Sequence, residues 1–275
     1  MKFFYQITLA SLFSHGSIIM ADLIEGNLKT RLGTLMKMFN SKRVSGRADP
    51  TQSVLIDKYL GYDGEMPEYG CYCTLSPEFK VGGKPLDDID KACRTMHLNY
   101  ECMAMDNEKV DKKDACDSNS VRYQIPDINL DVMFSILSSS LFDPNIDFDG
   151  HVIRSCSKLN DAENDPCAVN LCAIDLKFVG ELNYFFSASV NFNYFHYGGN
   201  FNQTEKCHRE WLGVDIPKGD KRCCGLHPDR KPYRHDELDL IENSKKCCHS
   251  KKLYFSGEEK CCDDGSVVMA FDECL

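Results

Sequence analysis

The chain has 275 residues, 43% of them hydrophobic, a net charge of −10 and sixteen cysteines. That length holds one large domain or two small ones, and the apolar content is that of a folded chain. An acidic protein is a poor nucleic-acid binder, is repelled by anionic membrane surfaces and can attract cations. Sixteen clustered cysteines, an even number, are out of place in a reducing compartment and read as a disulfide framework. Zinc is the weaker reading, because no two Cys-x-x-Cys knuckles stand at zinc-site spacing.

At the N-terminus, Lys2 precedes a mostly apolar run from Phe3 to Phe13, broken by Tyr5, Gln6 and Thr8. Ser14, Gly16, Ser17 and Ala21 follow. This is the shape of a signal peptide over 1–21, cut after Gly16 or Ala21, and it predicts a secreted, extracellular protein. The run is too short to span a membrane, and no later segment reaches ~20 apolar residues.

Leu28, Leu32, Leu35, Met36 and Phe39 recur at three- and four-residue steps, which predicts an amphipathic helix over Leu23–Phe39. Ser41–Pro50 is a polar loop, with Lys42-Arg43 as a candidate processing site. Tyr69-Gly70-Cys71-Tyr72-Cys73 is a compact segment, and Gly82, Gly83 and Pro85 then break the chain. A helix is expected over Asp87–Met103, with Ile89, Cys93, Met96 and Tyr100 on one face. Residues 104–125 read as loop, and Ile128–Leu141 as a helix or a packed loop. Asn145, Asp147, Asp149 and Gly150, with Val152, match the first half of an EF-hand loop. Its closing glutamate would fall at Cys156, so a solvated turn is the better reading. The acidic groups Asp87, Asp88, Asp90 and Asp236, Glu237, Asp239 read likewise as solvated surface.

Asp165-Pro166 is a helix start, a capping side chain just before a first-turn proline. The helix continues through Cys167, Leu171, Cys172, Leu176, Val179 and Leu182. The aromatic, partly alternating stretch Tyr184–Tyr197 predicts a strand or hairpin after it. Asn202-Gln203-Thr204 is a glycosylation sequon. From Cys207 the chain turns polar, charged and rich in vicinal cysteines. This places one domain at 22–200 and a cysteine-rich module at 201–275. Eight cysteines up to Cys172 and eight from Cys207 let each half close its own disulfides.

Tyr69-Gly70-Cys71-Tyr72-Cys73, then Pro85, Asp87, Asp90, Cys93 and Tyr100, resembles the calcium loop and second helix of the secreted phospholipases A2. Cys167, Cys172 and Asp175 resemble that family's third helix. The likeness covers roughly 23–185, with insertions. It implies two long antiparallel helices stapled together, a histidine base oriented by an aspartate, and a calcium ion held by a second aspartate and loop carbonyls. A base needs a carboxylate to fix its tautomer, and the cation stabilises the developing oxyanion.

The departures fall on the chemistry. Cys73 is followed by Thr74, Leu75, Ser76, Pro77 and Glu78 where the family's loop is glycine-rich. Anchoring on Asp90, Cys93 and Tyr100 puts Met96 at the catalytic histidine position and His97 at the calcium aspartate. Shifting by one residue makes His97 the base and Leu98 the missing ligand. One residue of helix rotates a side chain by ~100°, so neither register is complete. The resemblance leaves His97 and Asp175 as candidate catalytic residues of a site without its metal: no metal ligands and no cofactor are assigned, calcium being the alternative. Asp175 and Tyr100 read better as a buried hydrogen-bonded pair.

The same resemblance implies disulfides Cys73–Cys93 and Cys156–Cys172, and Cys167 paired with Cys116 or Cys102. It ties Cys71 to a cysteine beyond the third helix, where Cys207 stands. Family bridges are absent where this chain has Ala92 and Asn99, with Glu181 and Ile174 at their partners' positions. The tail's vicinal pairs Cys223-Cys224, Cys247-Cys248 and Cys261-Cys262 resemble the dicysteine repeats of galaxin-type extracellular matrix proteins. With few apolar residues it must be stapled, and it shows no nucleophile–base pair.

The expected fold is mainly α: stapled phospholipase A2-like helices plus a small cysteine-rich irregular or β module. The expected function is a secreted, non-catalytic binding or matrix role toward an extracellular partner, a phospholipid surface or matrix among the candidates and nucleic acid not. The alternatives are an active calcium-dependent phospholipase A2 cleaving sn-2 esters, or a toxin-like or receptor-binding module.

Overall fold

A computed structural model describes residues 23–24, 31–36, 68–74, 84–107, 116, 121–126, 130–141, 143, 145–160, 166–196, 201–207, 221–234 and 245–274. The signal-peptide reading of 1–21, the 41–50 loop with Lys42-Arg43, the loop departures from Leu75 to Glu78, and the Asp165 cap lie outside these residues.

Residues 31–36 are helical (α1), inside the predicted Leu23–Phe39 helix. Leu23–Ile24, expected to begin that helix, is instead a strand (β1), antiparallel to β2 (Tyr123–Gln124). Two long helices follow, α2 (Asp88–Asn107) and, further on, α5 (Pro166–Ser189). The start of α2 is dictated locally. The carboxylate of Asp87 accepts the Asp90 N–H at 2.9 Å, and Asp88 and Asp90 place negative charge on the first turn. Ile89, Cys93, Met96, Tyr100 and Met103 then form one buried stripe.

The central helix, α5, is buried on nearly every side from Leu171 to Ile174 and again at Leu176, Phe178, Val179 and Leu182. It runs antiparallel to α2. Tyr69 reaches both Asp87 at the start of α2 and Phe186 near the end of α5, while Tyr100 meets Asp175 midway along both. Packing decides the Ile128–Leu141 ambiguity in favour of a helix, α3 (Leu130–Ser140). Its Met133 lies where a Cβ on Gly180 would sit, so the absent side chain lets α3 approach α5 closely.

The acidic turn is the start of a helix: Asp147 caps α4 (Phe148–Ser157), its Oδ1 accepting the Gly150 N–H at 2.7 Å, while Asp149 pairs with Lys177 at 2.7 Å. One sequence expectation is corrected: the stretch from Tyr184 is no hairpin. α5 runs on to Ser189, and a short 3₁₀ turn (Phe192–Tyr194) follows. Phe186 lies one turn beyond Leu182 on the same buried face and stacks with Phe195 at 6.2 Å, so packing at helical period overrides the partial alternation.

After a short helix α6 (Gln203–Lys206), the described residues of the tail form three antiparallel hairpins. They are β3–β4 (Lys221–Cys224 with Lys231–Arg234), β5–β6 (Lys245–Cys248 with Lys252–Phe255) and β7–β8 (Glu259–Cys261 with Val267–Met269). The first half holds Cys73–Cys93, Cys116–Cys167 and Cys156–Cys172. The even split of disulfides at residue 200 fails, because Cys71–Cys207 and Cys102–Cys223 both cross it. Beyond Cys223 the vicinal pairs form a relay, Cys224–Cys247, Cys248–Cys261 and Cys262–Cys274. Each pair sends one bond back and one forward, so the hairpins are stapled in a row.

Candidate functional site

The deepest polar cluster lies between α1, α2 and α5. Asp175, fully buried, accepts from Arg31 Nε at 2.5 Å, from the Tyr123 hydroxyl at 2.5 Å and from the Tyr100 hydroxyl. Arg31 is also fully buried and sends Nη2 to the Tyr100 oxygen at 3.3 Å. Its guanidinium lies over the rings of both tyrosines, 5.9 Å from Tyr100 and 6.0 Å from Tyr123. Burial opposes the charge on Arg31, but the neighbouring carboxylate outweighs it and holds the guanidinium above its ordinary value. Burial, then the negative field of Asp175, pushes both tyrosine hydroxyls well up, so both stay protonated donors. A buried charge survives when it is paired and hydrogen-bonded, and this one has three donors.

The sequence had paired Asp175 with Tyr100, and the structure brings these two together. It does not join Asp175 to His97. The His97 ring turns toward the loop, with Nε2 at 2.9 Å from the Tyr72 carbonyl. A carbonyl only accepts, so Nε2 carries the hydrogen and donates. Desolvation lowers the pKa of His97, with the Tyr72 carbonyl pulling the other way. Met96, fully inside the core, faces away from solvent.

Arg31 and Tyr123 went unread in the sequence. Arg31 is 144 residues from Asp175, and nothing local marks it except a cation inside an apolar helical stripe.

A second buried carboxylate organises the Tyr69–Cys73 loop. Asp90 accepts N–H groups from Cys71 at 2.9 Å, Tyr72 at 2.7 Å and Leu86 at 3.0 Å. Gly70 has φ +59°, and a Cβ there would stand 2.6 Å from the Asp90 carboxyl, so only glycine fits. His196 Nε2 donates to the Gly70 carbonyl at 2.7 Å, and Gly70 N–H donates to the Tyr194 carbonyl at 2.9 Å.

The tail is docked onto α2. Lys221 pairs with Glu101, and Arg230 makes a two-pronged contact with Asp106 at 2.6 and 2.9 Å. Burial alone would raise Asp106, but hydrogen bonds from His227 and Arg230 hold its carboxyl down to about 2. The Asn99 side-chain oxygen accepts the Arg230 N–H at 2.8 Å, so tail backbone packs directly on α2. On α5, Glu181 is pushed up to about 7, chiefly by burial, beside Lys177.

A calcium ion takes six to eight oxygen ligands at roughly 2.3–2.6 Å. The described residues around His97 do not fit one. The Tyr72 carbonyl accepts an imidazole N–H, a donor where a cation would need an acceptor, and Asp90 spends its oxygens on backbone N–H groups. Among the described residues there is no group of three or more His, Cys, Asp or Glu placed to hold a metal. No described helix is long and apolar enough to cross a membrane.

No protein-family model, no curated protein and no solved structure matches this chain.

Proposed function

We propose that the chain is a secreted, non-catalytic phospholipase A2-like protein with an extracellular binding or matrix role. The observation that carries this reading is the occupation of Asp175. The carboxylate that the resemblance assigns to orienting a base is instead bonded to Arg31, Tyr100 and Tyr123. A histidine base without a carboxylate partner lacks the group that steadies its positive charge, and the Tyr72 carbonyl already holds His97 with Nε2 protonated. His97 is committed to a loop carbonyl at the place where the resemblance expects calcium. Eight disulfides fit an oxidising, extracellular setting. On this reading the helix scaffold is kept without its catalytic pair.

Calorimetric titration of the purified chain with calcium tests the reading. The expected result is no binding at millimolar calcium. Saturable uptake that His97→Gln alters would place the cation beside the loop and overturn it.

A further inference from the structure

The last three hairpins distribute charge unevenly. Between Lys245 and Phe255 there are four lysines and no carboxylate, and between Ser256 and Cys274 there are six carboxylates and one lysine. Lys251 and Lys252 are exposed on the basic hairpin, and Asp272 and Glu273 are exposed at the acidic end.

The acidic end also carries apolar surface. Phe271 is 82% exposed, and Met269 (42%) and Phe255 (43%) are partly bare. Met269 and Phe271 form this patch, with Glu259 as the cross-strand partner of Met269, whereas the Phe255 ring lies under Lys245 of the basic hairpin. A bare phenylalanine rimmed by carboxylates is the form of a docking anchor, an apolar group at the centre with charges that select the partner.

We propose that this end docks onto the basic β5–β6 hairpin of a second copy of the chain. The occupant follows from charge. An anionic lipid surface or polysaccharide would meet Asp272 and Glu273, whereas the β5–β6 hairpin offers the exposed Lys251 and Lys252 and has no carboxylate in its own sequence. Donor and acceptor surfaces differ and lie on successive hairpins of one tail, so the contact is heterologous. Unless its rotation closes a ring, it propagates into open chains. The disulfide relay fixes the spacing of the two surfaces and suits them to repeated head-to-tail use. The proposal needs no lipid chemistry and does not depend on the phospholipase-like reading.

Sedimentation velocity of the full secreted chain, over a concentration series at low and at ~1 M salt, tests it. The expected result is concentration-dependent self-association that salt weakens. Phe271→Ser, at a site exposed in the monomer, is expected to weaken it about tenfold or more. Lys251→Glu with Lys252→Glu abolishes it in one chain, and Asp272→Lys with Glu273→Lys abolishes it in another. Mixing the two charge-reversed chains restores pairing. A wild-type chain that stays monomeric throughout, association untouched by Phe271→Ser or by the reversals, or mixed chains that fail to pair would each overturn the proposal.

Discussion

Replacing Arg31 by methionine keeps the volume of the side chain roughly and removes its charge. Asp175 is then left fully buried with two tyrosine hydroxyls and no cation. Breaking a buried ion pair by removing one partner costs about 3–5 kcal/mol, because the remaining charge is desolvated and uncompensated. Asp175→Leu removes the carboxylate that Arg31 Nε donates to and should also destabilise the fold. The double variant removes both charges, and replacing a buried pair by apolar groups is often close to neutral. Its loss should therefore fall short of the summed single losses by at least ~2 kcal/mol. Tyr123→Phe removes one hydrogen bond to a charged group, worth about 1.5–3 kcal/mol, and Tyr100→Phe removes two, one to Asp175 and one from Arg31. Guanidinium unfolding with disulfides intact measures all of these. Single variants that lose less than ~1 kcal/mol, or a double variant that is simply additive, would refute the view that Arg31 neutralises Asp175.

Gly70→Ala forces a Cβ into the Asp90 carboxyl at a positive φ, and it should cost more than the ~1–2 kcal/mol of left-handed strain alone, read by thermal unfolding. Glu181, raised from 4.5 to about 7, binds more protons folded than unfolded in that range. Its contribution is therefore present below pH 4.5 and lost as pH rises toward 7. Glu181→Gln should match wild type near pH 4.5 and exceed it at pH 8 by about 1–3 kcal/mol, and a constant offset across pH would contradict the assignment. Removing the Cys102–Cys223 staple as a double alanine variant should cost about 2–4 kcal/mol, with Arg230–Asp106 still holding the tail on α2. Asn202 is exposed, with only its side-chain oxygen engaged in capping α6. Glycosidase treatment of the secreted chain should shift its mobility, and Asn202→Gln should abolish the shift.

The two long helices were legible because their signals are local. Asp87 and Asp90 cap α2, Pro166 opens α5, and both carry apolar residues at helical steps. The hairpin expected after Tyr184 failed because aromatic residues suit strands and packed helices alike, and only the contact with Phe195 decides. The tail's β character was anticipated, but not the three hairpins or the relay, since sequence does not give connectivity. Asp175 was recognised from its neighbours on α5, whereas Arg31 was not, because a pairing 144 residues apart leaves no trace in spacing. The acidic turn was ambiguous for a related reason. Aspartate before glycine serves a calcium loop and a helix cap equally, and only the helix that starts at Phe148 separates them.

The proposed lack of catalysis is tested most directly by fatty-acid release from phospholipid micelles, assayed on the purified chain with calcium and with chelator. With Asp175 held by Arg31 and His97 held by the Tyr72 carbonyl, the expected result is no release above background in either condition. Calcium-dependent release that His97→Gln abolishes would contradict it.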